Sequence, residues 1–127
     1  MPKRESLYHK YPEYRVDLEP HPGRVRVTFA GEIIADSVRA VVLNETKHAP
    51  VIYIPREDVR MSHLEGIDHQ TFCPFKGEAA YWSIRVGDHV EQNAVWTYPD
   101  PFDEVMALKD YVSFYQDRPE LQQERVV

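Results

Sequence analysis

Arg24-Val25-Arg26-Val27-Thr28-Phe29, then Ala30-Gly31-Glu32, then Ile33-Ile34-Ala35, is the stretch on which the fold class turns. Polar and apolar residues alternate here with period two, as on a strand that buries one face. Gly31-Glu32 breaks the run, and Gly31 can take the positive φ that a tight hairpin wants. The device returns later. Tyr81-Trp82-Ser83-Ile84-Arg85-Val86 alternates, Gly87-Asp88 turns, and Val90 to Tyr98 runs back. Arg39 to Leu43 and Val51 to Ile54 read as two further β-branched strands.

The parallel continues past the hairpins. Tyr53-Ile54-Pro55-Arg56-Glu57-Asp58-Val59 follows the first, and Tyr98-Pro99-Asp100-Pro101-Phe102-Asp103-Glu104-Val105 follows the second. Each sets a tyrosine, a proline, two acidic residues and a valine in the same order. Acidic residues after a proline suit the first turn of a short helix, where they offset unpaired N–H groups. A leucine (Leu64, Leu108) and an aromatic-rich strand then follow, Gln70-Thr71-Phe72 in one half and Tyr111 to Tyr115 in the other. Two copies of hairpin, short helix and strand are therefore expected, each covering the other's apolar face.

Around this body, taken as residues 24–116, lie an arm (1–23) and a tail (117–127). Pro2, Pro12, Pro20 and Pro22 block a long helix in the arm, so its Tyr8, Tyr11 and Tyr14 are expected to pack on the body. The polar tail after Pro119 reads as frayed. At 127 residues, 43% of them hydrophobic, one domain with its own core is expected. The net charge of −6 argues against a general nucleic-acid binder, which needs a cationic face. No apolar segment follows Met1-Pro2-Lys3-Arg4-Glu5, and none approaches a membrane span, so a cytoplasmic protein without a signal peptide is expected. The single cysteine excludes an internal disulfide and a zinc site of paired Cys-x-x-Cys motifs.

Several segments carry a resemblance: Ala35-Asp36-Ser37, Tyr53 to Val59, Thr71-Phe72-Cys73-Pro74-Phe75-Lys76-Gly77-Glu78-Ala79-Ala80-Tyr81-Trp82, Ala94-Val95-Trp96-Thr97-Tyr98 and Phe114-Tyr115. Together they resemble the largely bacterial, uncharacterised domain-of-unknown-function family four-two-seven, over about residues 24–116. The resemblance implies a β-tent fold, two small antiparallel sheets set at a steep angle, which agrees with the pseudo-duplication. The expected class is thus mainly β, of the α+β kind, with short helices. The family also carries a nucleotidyltransferase-like label. That chemistry wants a Gly-Ser followed by paired aspartates that hold two metals, and neither a Gly-Ser nor an Asp-x-Asp is present.

The chemistry-bearing residues gather around Cys73-Pro74-Phe75-Lys76-Gly77-Glu78. Lys76 would lower the Cys73 thiol pKa if the loop folds its side chain back; as a buried filler, Cys73 would be inert. His63, His69 and Cys73, with Asp68 between, match no strong zinc spacing, and the resemblance adds that β-tent relatives use four cysteines. No metal or other cofactor is expected. Period two puts Trp82, Ile84 and Val86 on one strand face and Tyr81, Ser83 and Arg85 on the other, while Ala94, Trp96 and Tyr98 share a face of the returning strand. Tyr53, Tyr81, Trp96 and Tyr98 are expected to line the concave side between the sheets, with Lys76 and Glu78 at the rim. The function expected is binding of a small molecule or a modified side chain in that aromatic cleft. The alternatives are an enzyme using Cys73 or the Lys76/Glu78 pair, and a protein interaction module whose tyrosine-rich arm docks on a partner protein.

Overall fold

Both hairpins form where the glycines place them. The computed structural model describes residues 6–126, so the first five residues of the expected arm and the last of the expected tail lie outside the described residues. Its strands are β1 (Val16–Pro20), β2 (Arg24–Phe29), β3 (Glu32–Ser37), β4 (Val41–Glu45), β5 (Val51–Pro55), β6 (Leu64–Cys73), β7 (Gly77–Val86), β8 (His89–Thr97), β9 (Tyr111–Phe114) and β10 (Leu121–Val126). Ala30 (φ 50°) and Gly31 (φ 81°) turn β2 into β3, and both positive φ values suit a primed two-residue turn. Gly87 (φ 58°) opens the turn from β7 to β8.

The protein is mainly β, with two antiparallel sheets. A seven-stranded sheet runs β1-β4-β5-β9-β8-β7-β6, and a three-stranded sheet runs β10-β2-β3. The two repeated units divide unequally between them. The first sends its hairpin, β2–β3, to the small sheet and β5 to the large one; the second lies wholly in the large sheet as β7, β8 and β9. Ile54 and Thr97 flank Val112 from opposite sides, which sets β5 and β8 parallel to each other across β9. The register therefore makes Trp96, not Tyr98, the counterpart of Tyr53.

The expected short helices are 3-10 turns at Arg56–Asp58, Met61–His63 and Asp103–Leu108. They stay short for local reasons. Val59 returns to extended backbone and bridges to Ala35, and Val105 (φ −129°) interrupts the third turn. No helix among the described residues is long and apolar enough to cross a membrane.

The arm and tail each supply a strand. β1 pairs with β4, Leu18 opposite Leu43, and gives the large sheet one of its edges. β10 pairs with β2, so the expected frayed tail is hydrogen-bonded backbone in this fold. Leu121 anchors it at 3% exposure against Phe29. A single buried leucine suffices because the ladder, not side-chain burial, holds an edge strand.

Between the sheets lies a hydrophobic core of Val25, Val27, Phe29, Ile34, Ile54, Ile84, Val95, Val112 and Phe114, with Trp82 and Val86 packed against it. The other face of the large sheet carries a second cluster: Leu43, Tyr53, Tyr81, Tyr98, Phe102, Val105 and Leu108, with Trp96 and Tyr115 partly buried beside them. Residues of the small sheet take no part in that second cluster. The third 3-10 turn and the arm cover it instead.

Candidate functional site

Alternation along β7 sends Trp82, Ile84 and Val86 into the inter-sheet core and Tyr81 to the outer cluster. Tyr81 and Trp96 are register partners across β7 and β8. Tyr53 lies level with Trp96 across β9, and the Trp96 indole N–H donates to its hydroxyl at 3.2 Å, the rings meeting edge-on with centroids 6.1 Å apart. Tyr98 stands beyond Trp96 on the same side. Ala94 departs from this face. A bulge at Asn93 (φ 54°) shifts the β7–β8 register, and Ala94 packs in the inter-sheet core.

These residues line one cleft of about 500 Å³. Tyr53, Tyr81, Trp96, Tyr98 and Lys76 all border it, as does Cys73, which is partly buried. The cleft is not between the sheets, where the strand pattern suggested it; apolar side chains, Phe29, Phe114 and Trp82 among them, fill that space. It opens on the outer face of the large sheet. Glu78 does not line it: on β7 it falls between Gly77 and Ala79, which are buried, and is itself exposed.

The carboxylate that meets Lys76 is Glu45, at the end of β4. The two form an ion pair with side chains only 10% and 8% exposed. The Tyr14 hydroxyl donates to the other Glu45 oxygen, and His48 Nε2 approaches it at 3.9 Å. Burial alone would raise the Glu45 pKa, but the hydrogen bonds from Lys76 and Tyr14, with the charge of Lys76, hold it below the ordinary glutamate value. Gly77 follows Lys76 with φ 117°, a backbone conformation that favours glycine, and runs close against the 100–102 segment. The close approach lets the Phe102 N–H bond the Lys76 carbonyl at 3.1 Å.

The arm closes one end of the cleft. Tyr14 stacks on Phe75 (centroids 3.7 Å, interplanar angle 13°), and Tyr8 and Tyr11 meet the same ring edge-on. The Tyr8 hydroxyl donates to the Phe75 carbonyl at 2.6 Å. On the far side, Tyr115 packs against Trp96 with centroids 4.7 Å apart. Desolvation pushes the pKa of Tyr53, Tyr98 and Tyr115 up, so all three keep their hydroxyl protons at neutral pH.

The histidines near the cysteine do not assemble with it. His63 Nδ1 donates to the Arg85 carbonyl (3.2 Å), and His69 packs on the Tyr81 ring. No group of three or more His, Cys, Asp or Glu residues placed to hold a metal occurs among the described residues. Sequence reasoning missed Glu45, Tyr14, His48 and Tyr115. Glu45 lies 31 residues from Lys76, and no local pattern joins them.

These features define a two-sheet antiparallel β domain with an aromatic cleft on the outer face of its larger sheet. The chain belongs to the family described as a domain of unknown function (DUF427), whose model matches residues 17–125. That span takes in nearly all of β1 and of β10, beyond the 24–116 body outlined above. Among curated proteins, none matches the chain significantly.

Proposed function

We propose that this protein binds a small molecule in the cleft lined by Tyr53, Tyr81, Trp96 and Tyr98. One observation carries the reading: aromatic rings from β5, β7 and β8 and the buried Lys76–Glu45 pair border a single cavity of about 500 Å³. That is the size and make-up of a ligand pocket, apolar walls with a few convergent polar groups. The opposite face of the same sheet, by contrast, packs Ile54, Ile84, Val95, Val112 and Phe114, none with a polar group, against the small sheet. The arm-docking alternative is less favoured, because Tyr8, Tyr11 and Tyr14 already pack on Phe75 of the same chain.

The two tryptophans make a built-in test, one on each face of the large sheet. In a ¹H–¹⁵N titration with small aromatic compounds, a cleft ligand should move the indole signal of Trp96 and leave that of Trp82 in place. It should also slow alkylation of Cys73, the one thiol in the chain. A library that leaves Trp96 unmoved, or moves Trp82 alone, would overturn the reading.

A further inference from the structure

Resting on the cleft reading, we infer that the ligand is a flat molecule bearing an anionic oxygen group, a carboxylate or enolate, set against the ammonium of Lys76. The groups that the cleft leaves uncommitted favour such a ligand. Its one lining carboxylate, Glu45, has Oε1 on Lys76 and Oε2 on the Tyr14 hydroxyl, with His48 beside it. Each Glu45 oxygen is turned to a protein donor, and a cation drawn to a remaining lone pair would sit next to Lys76, where like charges in a poorly hydrated site repel strongly. The donors are less committed. The Glu45 bond uses one of the three N–H groups of Lys76.

The phenols add to this. Tyr53, Tyr81, Tyr98 and Tyr115 all line the cleft, and of their hydroxyls that of Tyr81 is already paired with Thr71 Oγ1 at 2.7 Å. Burial keeps those of Tyr53, Tyr98 and Tyr115 protonated, so they can donate. A donor-rich, apolar-walled site is complementary to a planar body with acceptor oxygens at one edge. Glu45 then has a second task. It holds the Lys76 side chain in place before a ligand arrives, much as an outer partner orients a metal's ligand.

The test uses three probes with one ring system: 2-naphthoate, 2-naphthamide and 2-naphthylmethylammonium. Each is titrated into the unmodified protein while the Trp96 indole signal is followed, with Trp82 as reference. The naphthoate should bind about tenfold or more tighter than the amide, since a charged hydrogen bond replaces a neutral one. The ammonium should bind weakest. In Lys76→Met/Glu45→Leu, which removes both charges together, the naphthoate-to-amide ratio should fall toward one. If the amide binds as well as the naphthoate, or the ammonium binds best, the anion assignment is wrong while the cleft reading stands. If no probe moves Trp96, both fall. The probe series needs no variant, so a misfolded double mutant would not blunt it.

Discussion

The two faces of the seven-stranded sheet are made by the same strands and do different work. Ile54, Ile84, Val95 and Val112 turn inward to meet the small sheet; Tyr53, Tyr81, Trp96 and Tyr98 turn outward. The inner face holds apolar side chains that need no partner beyond good packing. The outer face holds hydroxyls, an indole N–H and an ion pair, each of which needs a hydrogen bond or a ligand. Neighbouring residues on one strand are thus selected by opposite rules. Stability and the proposed binding should therefore respond separately to substitutions one residue apart.

The largest separation should come from Phe114→Ala, in the inner core at 1% exposure. It should cost about 3–5 kcal/mol in urea unfolding, the usual range for a fully buried phenylalanine. Trp96→Ala should cost less, since Trp96 is only partly buried, yet remove the cleft's binding. Equal losses from both would dissolve the contrast between the faces.

Next in size is Lys76→Met, which strands the buried Glu45 carboxylate. Breaking one side of a buried pair should cost about 3 kcal/mol, whereas Lys76→Met/Glu45→Leu should recover most of it. Denaturant midpoints of the single and double variants decide this. Full loss in both would mean that the cavity, not the charge, matters.

A smaller effect concerns pH. The folded-state pKa of Glu45 lies below its unfolded value, so its stabilisation is present above the unfolded pKa and is lost as pH falls through the folded one. Stability should decline below roughly pH 4, the usual carboxylate range, and Glu45→Gln should flatten that decline. A parallel pH profile for variant and parent would show that Glu45 is not the titrating group. The smallest effect is expected from Tyr8→Phe. Losing the bond to the Phe75 carbonyl should cost roughly 0.5–1.5 kcal/mol, readable as a small drop in melting temperature.

How much of this was legible depended on where the information lay. Hairpin turns are local, and Gly31 and Gly87 announced them by the φ they alone tolerate cheaply. Period-two alternation placed Tyr81 opposite Trp82, because adjacent residues on a strand cannot share a face. The second strand of that hairpin was read less well, since the bulge at Asn93 resets the phase for Ala94. β1 was hidden by surrounding prolines, and β10, Leu-Gln-Gln-Glu-Arg-Val, by its polar composition. An edge strand need bury little, so hydrophobic pattern is a poor guide to it. The aromatic part of the cleft was visible for the same reason as the strands that carry it. Its ionic part was not. Glu45 meets Lys76 only because β1, β4 and β5 extend the large sheet while the 73–76 loop folds back over it, a long-range outcome with no local signature.

The pairing of β10 with β2 has a consequence in time as well as in space. Leu121 stands 92 residues (121 minus 29) from its register partner Phe29, while β6, β7 and β8 pair with immediate neighbours along the chain. Closing a long loop is entropically dearer and slower than folding a hairpin, so the β6–β7–β8 meander should form early and the small sheet should close last. We expect pulse-labelling hydrogen exchange to protect amides of β7 before those of β2. During synthesis, β2 and β3 would leave the ribosome with one edge open and one apolar face bare until the strand that completes their sheet has been made. The side of the molecule that packs the inter-sheet core is in this way the more vulnerable while folding.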